Sequence, residues 1–146
     1  MPTYILKYSN LNLSSVQKKK VAEGITKVHS NETGANNYFA QVIFQKNGKD
    51  CHFMGGKLAK GKEVFLNGQI RSGRSVKVKK KLINGLKLIL FKNLNINKDC
   101  IWVYLEDLTP AQMIEYGETL PKSGGEKKWF NSLSPKLRKR LKKIDN

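Results

Sequence analysis

Hydrophobic residues along the chain switch between strand-like runs and helical stripes, and this order predicts the main elements. The run Tyr4–Tyr8 has the apolar pattern of a strand. An apolar stripe through Val21 and Ile25 then indicates an amphipathic helix that ends at about His29. A second strand-like run follows at Phe39–Phe44. The first third of the chain therefore predicts a β-α-β unit.

The same order recurs about 61 residues later, which indicates an internal repeat. A strand-like run spans Val64–Ile70, Ser75 is a candidate N-cap, and apolar residues at helical spacing continue to about Lys92. The repeat ends with a strand-like run at Ile101–Leu105. Gly85 within this helix costs about 1 kcal/mol relative to alanine, so we expect it to mark a close approach to the sheet.

Two β-α-β units predict an α/β (α+β) fold built on one sheet. Strands joined by a crossover helix pair in parallel, through a right-handed connection. We therefore expect a four-stranded sheet with both helices on one face. The other face needs cover, and a chain of this size commonly buries such a face by self-association, usually with closed cyclic symmetry.

The segments outside the repeat predict turns and short helices. Gly55–Gly56 indicates a turn, because the frame of a phosphate-binding loop, GxxxxGK[ST], is absent there. Thr109–Pro110 is typical of an N-cap followed by a first-turn proline, which predicts a short helix that runs through Glu115. Ser134–Pro135 predicts a final helix in the same way, and its narrow apolar edge suggests that it docks loosely.

A chain of 146 residues has the usual length of one domain. We expect a single domain over residues 1–146. Its two β-α-β units span about residues 2–46 and 63–106, and a C-terminal extension with short helices spans about residues 109–146.

Cysteine content and hydropathy predict the cellular compartment of the protein. Cys51 and Cys100 are too few for a disulfide framework and show no CxxC spacing, so a reducing cytosol and no structural metal site are expected. No stretch approaches the roughly 20 apolar residues of a membrane helix, and the N-terminus lacks the order of a signal peptide. The sequence predicts a cytoplasmic protein without a membrane partner.

The net charge of +17 attracts anions of every kind. Nine of the 28 Lys and Arg residues lie between Lys122 and Lys143, but the remaining positive charge is spread along the chain. A general solubility bias explains such a distribution as well as a nucleic-acid site does. No specific nucleic-acid partner is predicted, because aromatic platforms and known recognition modules are lacking.

The start of the chain carries the most unusual chemistry. Pro2 directly follows the initiator Met1 and precedes a predicted strand that would hold the terminus in place. Removal of Met1, which a small second residue permits, would convert the imide nitrogen of Pro2 into a free secondary amine. A secondary amine on a rigid ring can take up and release a proton.

Five further residues are candidate catalytic or binding residues, and each also has an ordinary structural interpretation. Arg71 and Arg74 lie between a predicted strand and the start of a helix, where an anion is favoured, although arginines in a basic protein are usually surface charge. His29 at a helix end commonly offsets the helix dipole. Tyr104 on a strand is more often a core residue, and Glu115 beside a loop is more often a solvated acid.

These six positions together resemble the active-site set of the cis-3-chloroacrylic acid dehalogenase group of the tautomerase superfamily. The resemblance extends nearly from end to end, because further segments occur in the expected order. These segments are Ala40–Val42, Phe53–Gly56, Arg71–Ser75, Ile101–Tyr104 and Glu126–Phe130. The resemblance implies the tautomerase fold, an enzyme without a cofactor, and a homotrimer.

The resemblance also implies how a small unsaturated or 2-oxo carboxylic acid is bound. Arg71 and Arg74 would hold the substrate carboxylate and draw negative charge toward it in the transition state. His29 would donate a hydrogen bond to the same oxygens.

Proton transfer would fall to the remaining three residues. Tyr104 and Glu115 would hold and deprotonate a water molecule aimed at the β-carbon, while protonated Pro2 would deliver a proton to the α-carbon. The outcome is hydration, or dehalogenation where the β-carbon carries a halide. With an enol substrate, Pro2 could act as the base of a keto-enol tautomerisation instead, and the pKa of its amine decides between these directions.

Two other classes of protein stay open at this point. The first is a binding protein that keeps the tautomerase fold with a silent site. The second is a basic nucleic-acid-binding protein that uses the helix around Lys136–Lys143. The loop at residues 31–37 and the tail after Leu133 depart from the family pattern, so the natural substrate is also left open.

Overall fold

The structure is a computed structural model that describes residues 2–145. Met1, whose removal the sequence suggests, lies outside the described residues. Both predicted β-α-β units are confirmed, and each consists of a strand, a 19-residue helix and a second strand. The first unit is β1 (Thr3–Ser9), α1 (Ser15–Thr33) and β2 (Gln41–Lys46).

The second unit follows a short hairpin, which consists of β3 (Phe53–Met54) and β4 (Lys57–Leu58). Gly55 and Gly56 form its turn with φ angles of 55° and 75°, as the sequence predicts for a tight glycine turn. The second unit is β5 (Glu63–Arg71), α2 (Val76–Leu94) and β6 (Ile101–Leu108).

The four long strands form one mixed sheet in the order β2-β1-β5-β6. Within each unit the strands are parallel, as expected, whereas the central pair β1 and β5 is antiparallel. Thr3 therefore lies opposite Gln69, and Arg71 lies opposite Leu108 of β6. This register places the start of β1 and the ends of β5 and β6 at the same edge of the sheet, the edge that the strand termini form.

Side-chain caps explain where the two long helices begin. Ser14 accepts a hydrogen bond from the N–H of Gln17, whose side chain bonds back to the Ser14 N–H, which completes a capping box. Ser75 caps α2 through the N–H of Val78, which confirms the predicted N-cap.

The glycine inside α2 has a different role from the one expected. A Cβ atom at Gly85 would lie 2.7 Å from Val28 of α1, so Gly85 allows the two helices to approach each other rather than the sheet. Gly24 of α1 is the counterpart, because a Cβ there would lie 2.8 Å from Ile89. The prediction failed because periodicity identifies a crowded position without identifying the neighbour.

One hydrophobic core lies between the sheet and the two helices. Alternate residues of β1 and β5 point toward α1 and α2 and are buried with them. The other sheet face has no such cover in the described chain. Ile43, Trp102 and Tyr104 remain exposed on it, together with Phe53 and Met54 of the hairpin.

The C-terminal extension differs from the sequence prediction in two ways. The first concerns the helix expected from Thr109–Pro110 through Glu115. Only a 3₁₀ turn at Pro110–Gln112 forms, and Glu115 lies in a strand. The strands β7 (Ile114–Glu115) and β8 (Glu118–Thr119) make a hairpin. Its central residues Tyr116 and Gly117 have positive φ angles of 56° and 84°, which suit a two-residue hairpin turn and exclude a helix.

The second difference concerns the last helix, which docks firmly. The extension ends with α3 (Glu126–Ser132) and α4 (Pro135–Asp145). Leu141 of α4 is fully buried in a second hydrophobic cluster together with Phe39, Trp129 and Leu133. The sequence shows only one narrow apolar edge because the residues that cover it come from distant segments.

Residues 2–145 contain neither a membrane-spanning helix nor a metal-binding cluster. No helix in this range combines the length and the apolar character needed to cross a membrane. No group of three or more His, Cys, Asp or Glu side chains in the same range is arranged to hold a metal ion.

Candidate active site

The end of α1 brings a buried histidine to the edge of the sheet. His29 is 2% exposed, and its Nδ1 lies 2.8 Å from the hydroxyl oxygen of Tyr4 on β1. Burial, followed by the nearby charge of Arg74, lowers the pKa of His29 to about 3. The imidazole is therefore neutral at physiological pH.

The Tyr4 hydroxyl determines which nitrogen of His29 carries the proton. Burial raises the pKa of Tyr4 well above its ordinary value, so the phenol keeps its proton. Its hydrogen bond to Nδ1 then leaves the imidazole proton on Nε2. Nε2 is buried and has no hydrogen-bond partner in the structure. His29 is thus a neutral hydrogen-bond donor whose N–H is unpaired.

A glycine on the neighbouring strand makes room for this pair. Gly68 lies opposite Tyr4 in the β1–β5 register, and a Cβ atom at this position would collide with the Tyr4 ring. The absence of a side chain at Gly68 lets the Tyr4 ring lie against β5, where it meets His29 edge-on.

Arg71 at the end of β5 is held by the C-terminal extension. The residue is 3% exposed, Nη1 donates to the carbonyl of Pro121 at 3.1 Å, and Nη2 lies 2.5 Å from the carboxylate of Glu126. Its Nε is buried and has no partner. Nη1 and Nη2 are therefore each bound once within the chain, and Nε is the guanidinium nitrogen without a partner.

Glu126 stays ionised beside this guanidinium. Burial alone raises the pKa of its carboxyl, but the Arg71 hydrogen bond, backbone N–H groups and the Arg71 charge together hold it below its ordinary value. The carboxylate therefore offsets the Arg71 charge at neutral pH.

Arg74 lies in the loop before α2 and is half-buried. Within residues 2–145, its Nη1 makes only a long contact of 3.4 Å to the carbonyl of Arg71. Burial, and then the positive charge of Arg71, lower the pKa of Arg74, although the guanidinium remains charged. Among residues 2–145 no carboxylate forms an ion pair with it. Both arginines line a cavity of about 440 Å³ beside the end of α1.

Pro2 lies at the same edge of the sheet. It is buried, it precedes the first residue of β1, and its carbonyl accepts a hydrogen bond of 3.0 Å from the N–H of Gln41 on β2. The register places it beside the end of β5, where Arg71 lies.

Glu115 borders a second and larger cavity at this edge, of about 590 Å³. It is partly exposed on β7, directly opposite Glu118 in the hairpin. Thr3 and Gln41, which flank Pro2 on two strands, line the same cavity. Glu115 and Pro2 therefore lie in one region, beside a cavity whose lining differs from that of the arginine-lined cavity.

Tyr104 is the predicted site residue that the chain does not bring to this edge. It lies on β6 opposite Asn67, on the open face of the sheet, and is 52% exposed. Its ring meets Phe65 edge-on with centroids 5.1 Å apart. The fold thus gathers His29, Arg71 and Arg74 together, with Pro2 and Glu115 alongside, and leaves Tyr104 on the opposite face from His29.

Sequence reasoning missed two residues that shape the site. Tyr4 was visible only as a strand residue, although its spacing from Leu6 and Tyr8 already indicated the helix-covered face. Glu126 gave no signal as a partner of Arg71, because the two residues are 55 positions apart.

Comparison with known proteins identifies the family of this chain. The family described as putative oxalocrotonate tautomerase enzymes matches residues 1–132, and the chain belongs to this tautomerase family. No curated protein sequence matches the chain significantly.

Solved structures show the same fold. A member of the cis-3-chloroacrylic acid dehalogenase family, N1, is similar over 97% of this chain and 99% of its own, with 28% identity and a TM-score of 0.90. Pt0534 inactivated by 2-oxo-3-pentynoate covers 81% of this chain and 94% of its own, with 18% identity and a TM-score of 0.73. A symmetric trimer of fused 4-OT covers 80% and 94%, with 17% identity and a TM-score of 0.72.

Proposed function

We propose that the protein is an enzyme that uses the amine of Pro2 as a general acid or base on small unsaturated or 2-oxo carboxylic acids. The observation that carries this proposal is a group of unpaired hydrogen-bond donors near the ends of α1 and β5, two of which are buried. His29 Nε2 and Arg71 Nε have no acceptor in the structure, and Arg74 has no carboxylate partner among the described residues.

Such donors favour an anionic ligand. A buried donor without an acceptor costs about 1–3 kcal/mol, and a carboxylate that accepts from several of them removes this penalty. Arg74 would supply the main charge, while His29 and Arg71 Nε would each add one hydrogen bond. In this arrangement Glu126 fixes the position of Arg71 and leaves Arg74 as the guanidinium free to bind through its terminal nitrogens.

Pro2 would transfer the proton. After removal of Met1, its secondary amine would lie between the arginines and Glu115. Burial and the arginine charges lower the pKa of an amine, whereas the Glu115 carboxylate raises it. A protonated amine would serve hydration or dehalogenation of 3-substituted acrylates, with Glu115 activating water, and a neutral amine would serve keto-enol tautomerisation.

Tyr104 would complete the site from a neighbouring copy. Because it lies on the open sheet face within its own chain, it can contribute only if that face meets another subunit near the Pro2 edge. The exposed Trp102 and Ile43 on the same face favour such burial. The trimer of fused 4-OT, which shares the fold, supports a homotrimer with three sites.

Turnover by NMR is the direct test of this proposal. Purified protein is incubated with enol-pyruvates and three-carbon unsaturated acids, and Pro2→Ala is assayed beside it. We expect turnover of at least one substrate and a loss of at least about 100-fold in Pro2→Ala, the usual contribution of general acid-base catalysis. Unchanged turnover in Pro2→Ala would rule the mechanism out.

Covalent labelling tests the amine without knowledge of the substrate. The electrophile 2-oxo-3-pentynoate, which inactivated Pt0534, should modify the nitrogen of Pro2. Peptide mass spectrometry should place one adduct on the N-terminal peptide of a protein that has lost Met1. The pH dependence of the labelling rate gives the pKa of the amine. An intact Met1, or adducts spread over lysines, would contradict the proposal.

A further inference from the structure

The segment that connects α1 to β2, residues 34–41, contributes to the walls of both cavities. Residues 34–36 line the arginine-lined cavity, and residues 38–41 line the larger one. At the end of this connecting segment, the N–H of Gln41 donates the 3.0 Å hydrogen bond to the carbonyl of Pro2. The position of the segment therefore affects both cavities and the residue whose amine carries the proposed chemistry.

The connecting segment contains one 3₁₀ turn, Asn37–Phe39, which has no side-chain cap of its own. The N–H groups at the start of a helical turn lack partners within the turn, and the side chain of the preceding residue often satisfies one of them. That preceding residue is Asn36, whose side chain makes no such bond. The turn therefore depends on an acceptor from another part of the chain.

Asp145 in the last turn of α4 supplies this acceptor. Its Oδ1 accepts a hydrogen bond of 2.7 Å from the N–H of Asn37, and its Oδ2 accepts one of 2.8 Å from the side-chain amide of Asn36. Hydrogen bonds to a carboxylate are stronger than those between neutral groups. No ion pair within residues 2–145 involves Asp145. The carboxylate is therefore bound to the connecting segment rather than to one of the many cations of its own helix.

The helix that carries Asp145 also packs against the connecting segment. Leu141, one turn before Asp145, is fully buried in the second hydrophobic cluster, which includes three residues of the segment, Ala35, Tyr38 and Phe39. Apolar packing is non-directional, whereas the two hydrogen bonds at Asp145 fix the position of the turn. Asp145 lies beyond residue 132, where the match to the tautomerase family ends. The directional contact therefore comes from outside the matched region.

We propose that Asp145 is a positioning residue of the candidate active site, which holds the 3₁₀ turn and, through it, the cavity walls and the carbonyl of Pro2. This inference rests on the proposed function for its effect on catalysis. Asp145 acts through Asn36 and Asn37 and does not touch the substrate. Without its two bonds, apolar contacts would still hold the connecting segment, but in a less defined position. Substrate binding should therefore weaken while the fold persists.

Three variants isolate the contact. Asp145→Ala removes both acceptors. Asp145→Asn keeps an acceptor for the N–H of Asn37 and can pair with the amide of Asn36, so it should restore the contact without the charge. Asp99→Ala is the matched control, because it removes the same side chain from the 3₁₀ turn at Lys98–Cys100, before β6 and at the opposite end of the sheet.

Kinetics with a substrate found in the NMR assay measure the effect on the site. KM should rise about fivefold or more in Asp145→Ala and stay within about twofold of wild type in Asp145→Asn and Asp99→Ala. A smaller folded fraction alone would lower kcat and leave KM unchanged. An unchanged KM in Asp145→Ala would therefore overturn the inference.

Hydrogen exchange separates this inference from the proposed function, because it needs no substrate. Peptides that cover residues 34–41 should exchange at least about fivefold faster in Asp145→Ala than in wild type, Asp145→Asn or Asp99→Ala. Peptides of α2 should exchange alike in all four proteins, which distinguishes a local release from a general loss of stability. This pattern supports the positioning role even if no substrate is converted. Equal exchange of residues 34–41 in all four proteins would reject it even if turnover that depends on Pro2 is found.

Discussion

The two faces of the sheet differ in how much of the candidate site each can complete within one chain. On the helix-covered face, the Tyr4–His29 pair is buried and hydrogen-bonded, and the Arg74 charge acts on both residues. On the open face, Tyr104 and Trp102 are exposed and nothing in the described chain packs over them.

The proposed anion binding and the proposed assembly therefore depend on different faces of the sheet. The His29 and Arg71 donors that we propose bind a carboxylate are already oriented by intrachain bonds, so one copy should bind an anion weakly by itself. Tyr104 has no such support, and any catalytic role for it depends on a second copy. Substitutions on one face at a time test whether the two faces have these separate roles.

The largest effect is expected on the open face. Trp102→Glu places a charge on the surface that we propose is buried between copies, so assembly should fail and turnover should fall by at least about 100-fold because Tyr104 is no longer delivered. Sedimentation velocity and the NMR assay measure the two effects. Val16→Glu, a matched change at an exposed position of α1, should alter neither. A Trp102→Glu protein that still forms trimers would show that this face is not the interface.

A smaller effect is expected at the bond that holds Arg71. Glu126→Gln leaves a buried guanidinium without its counter-charge and should lower the free energy of unfolding by about 2–3 kcal/mol, less than for a fully buried pair because Glu126 is partly exposed. Lys79→Met breaks the exposed pair with Asp107 and should cost no more than about 1 kcal/mol. Urea denaturation at pH 7 measures both. Equal losses would mean that burial of Arg71 adds nothing to the pair.

The smallest effect is a pH dependence from His29. Its pKa is about 3 in the folded protein and 6.5 in the unfolded chain, so below pH 6.5 the unfolded state binds the extra proton and stability falls as pH falls. Between pH 7 and pH 5 the wild type should lose about 2 kcal/mol relative to His29→Gln, which has no titrating ring. Urea denaturation at each pH gives the difference between the two proteins. A constant difference over this range would contradict a buried neutral imidazole.

Much of the fold could be predicted from the chain alone. The periods of hydrophobic residues identified both β-α-β units, and Ser75 and the glycines at positions 55 and 56 marked a helix start and a turn. These are local signals, since a cap or a turn depends on residues within a few positions. The prediction for the stretch around Glu115 was wrong. The hairpin depends on positive φ angles at Tyr116 and Gly117, whereas a proline start suggested a helix.

The sequence by itself determined the repeat, the helix-covered face and the residue types that can carry acid-base chemistry. Only the tertiary structure decided that β1 and β5 run antiparallel, that Tyr4 orients His29, and that Glu126 pairs with Arg71. The physical reason is the distance along the sequence over which each interaction acts. Periodicity and capping depend on neighbours along the helix or strand. A hydrogen bond between Arg71 and Glu126 instead depends on the packing of every element between them.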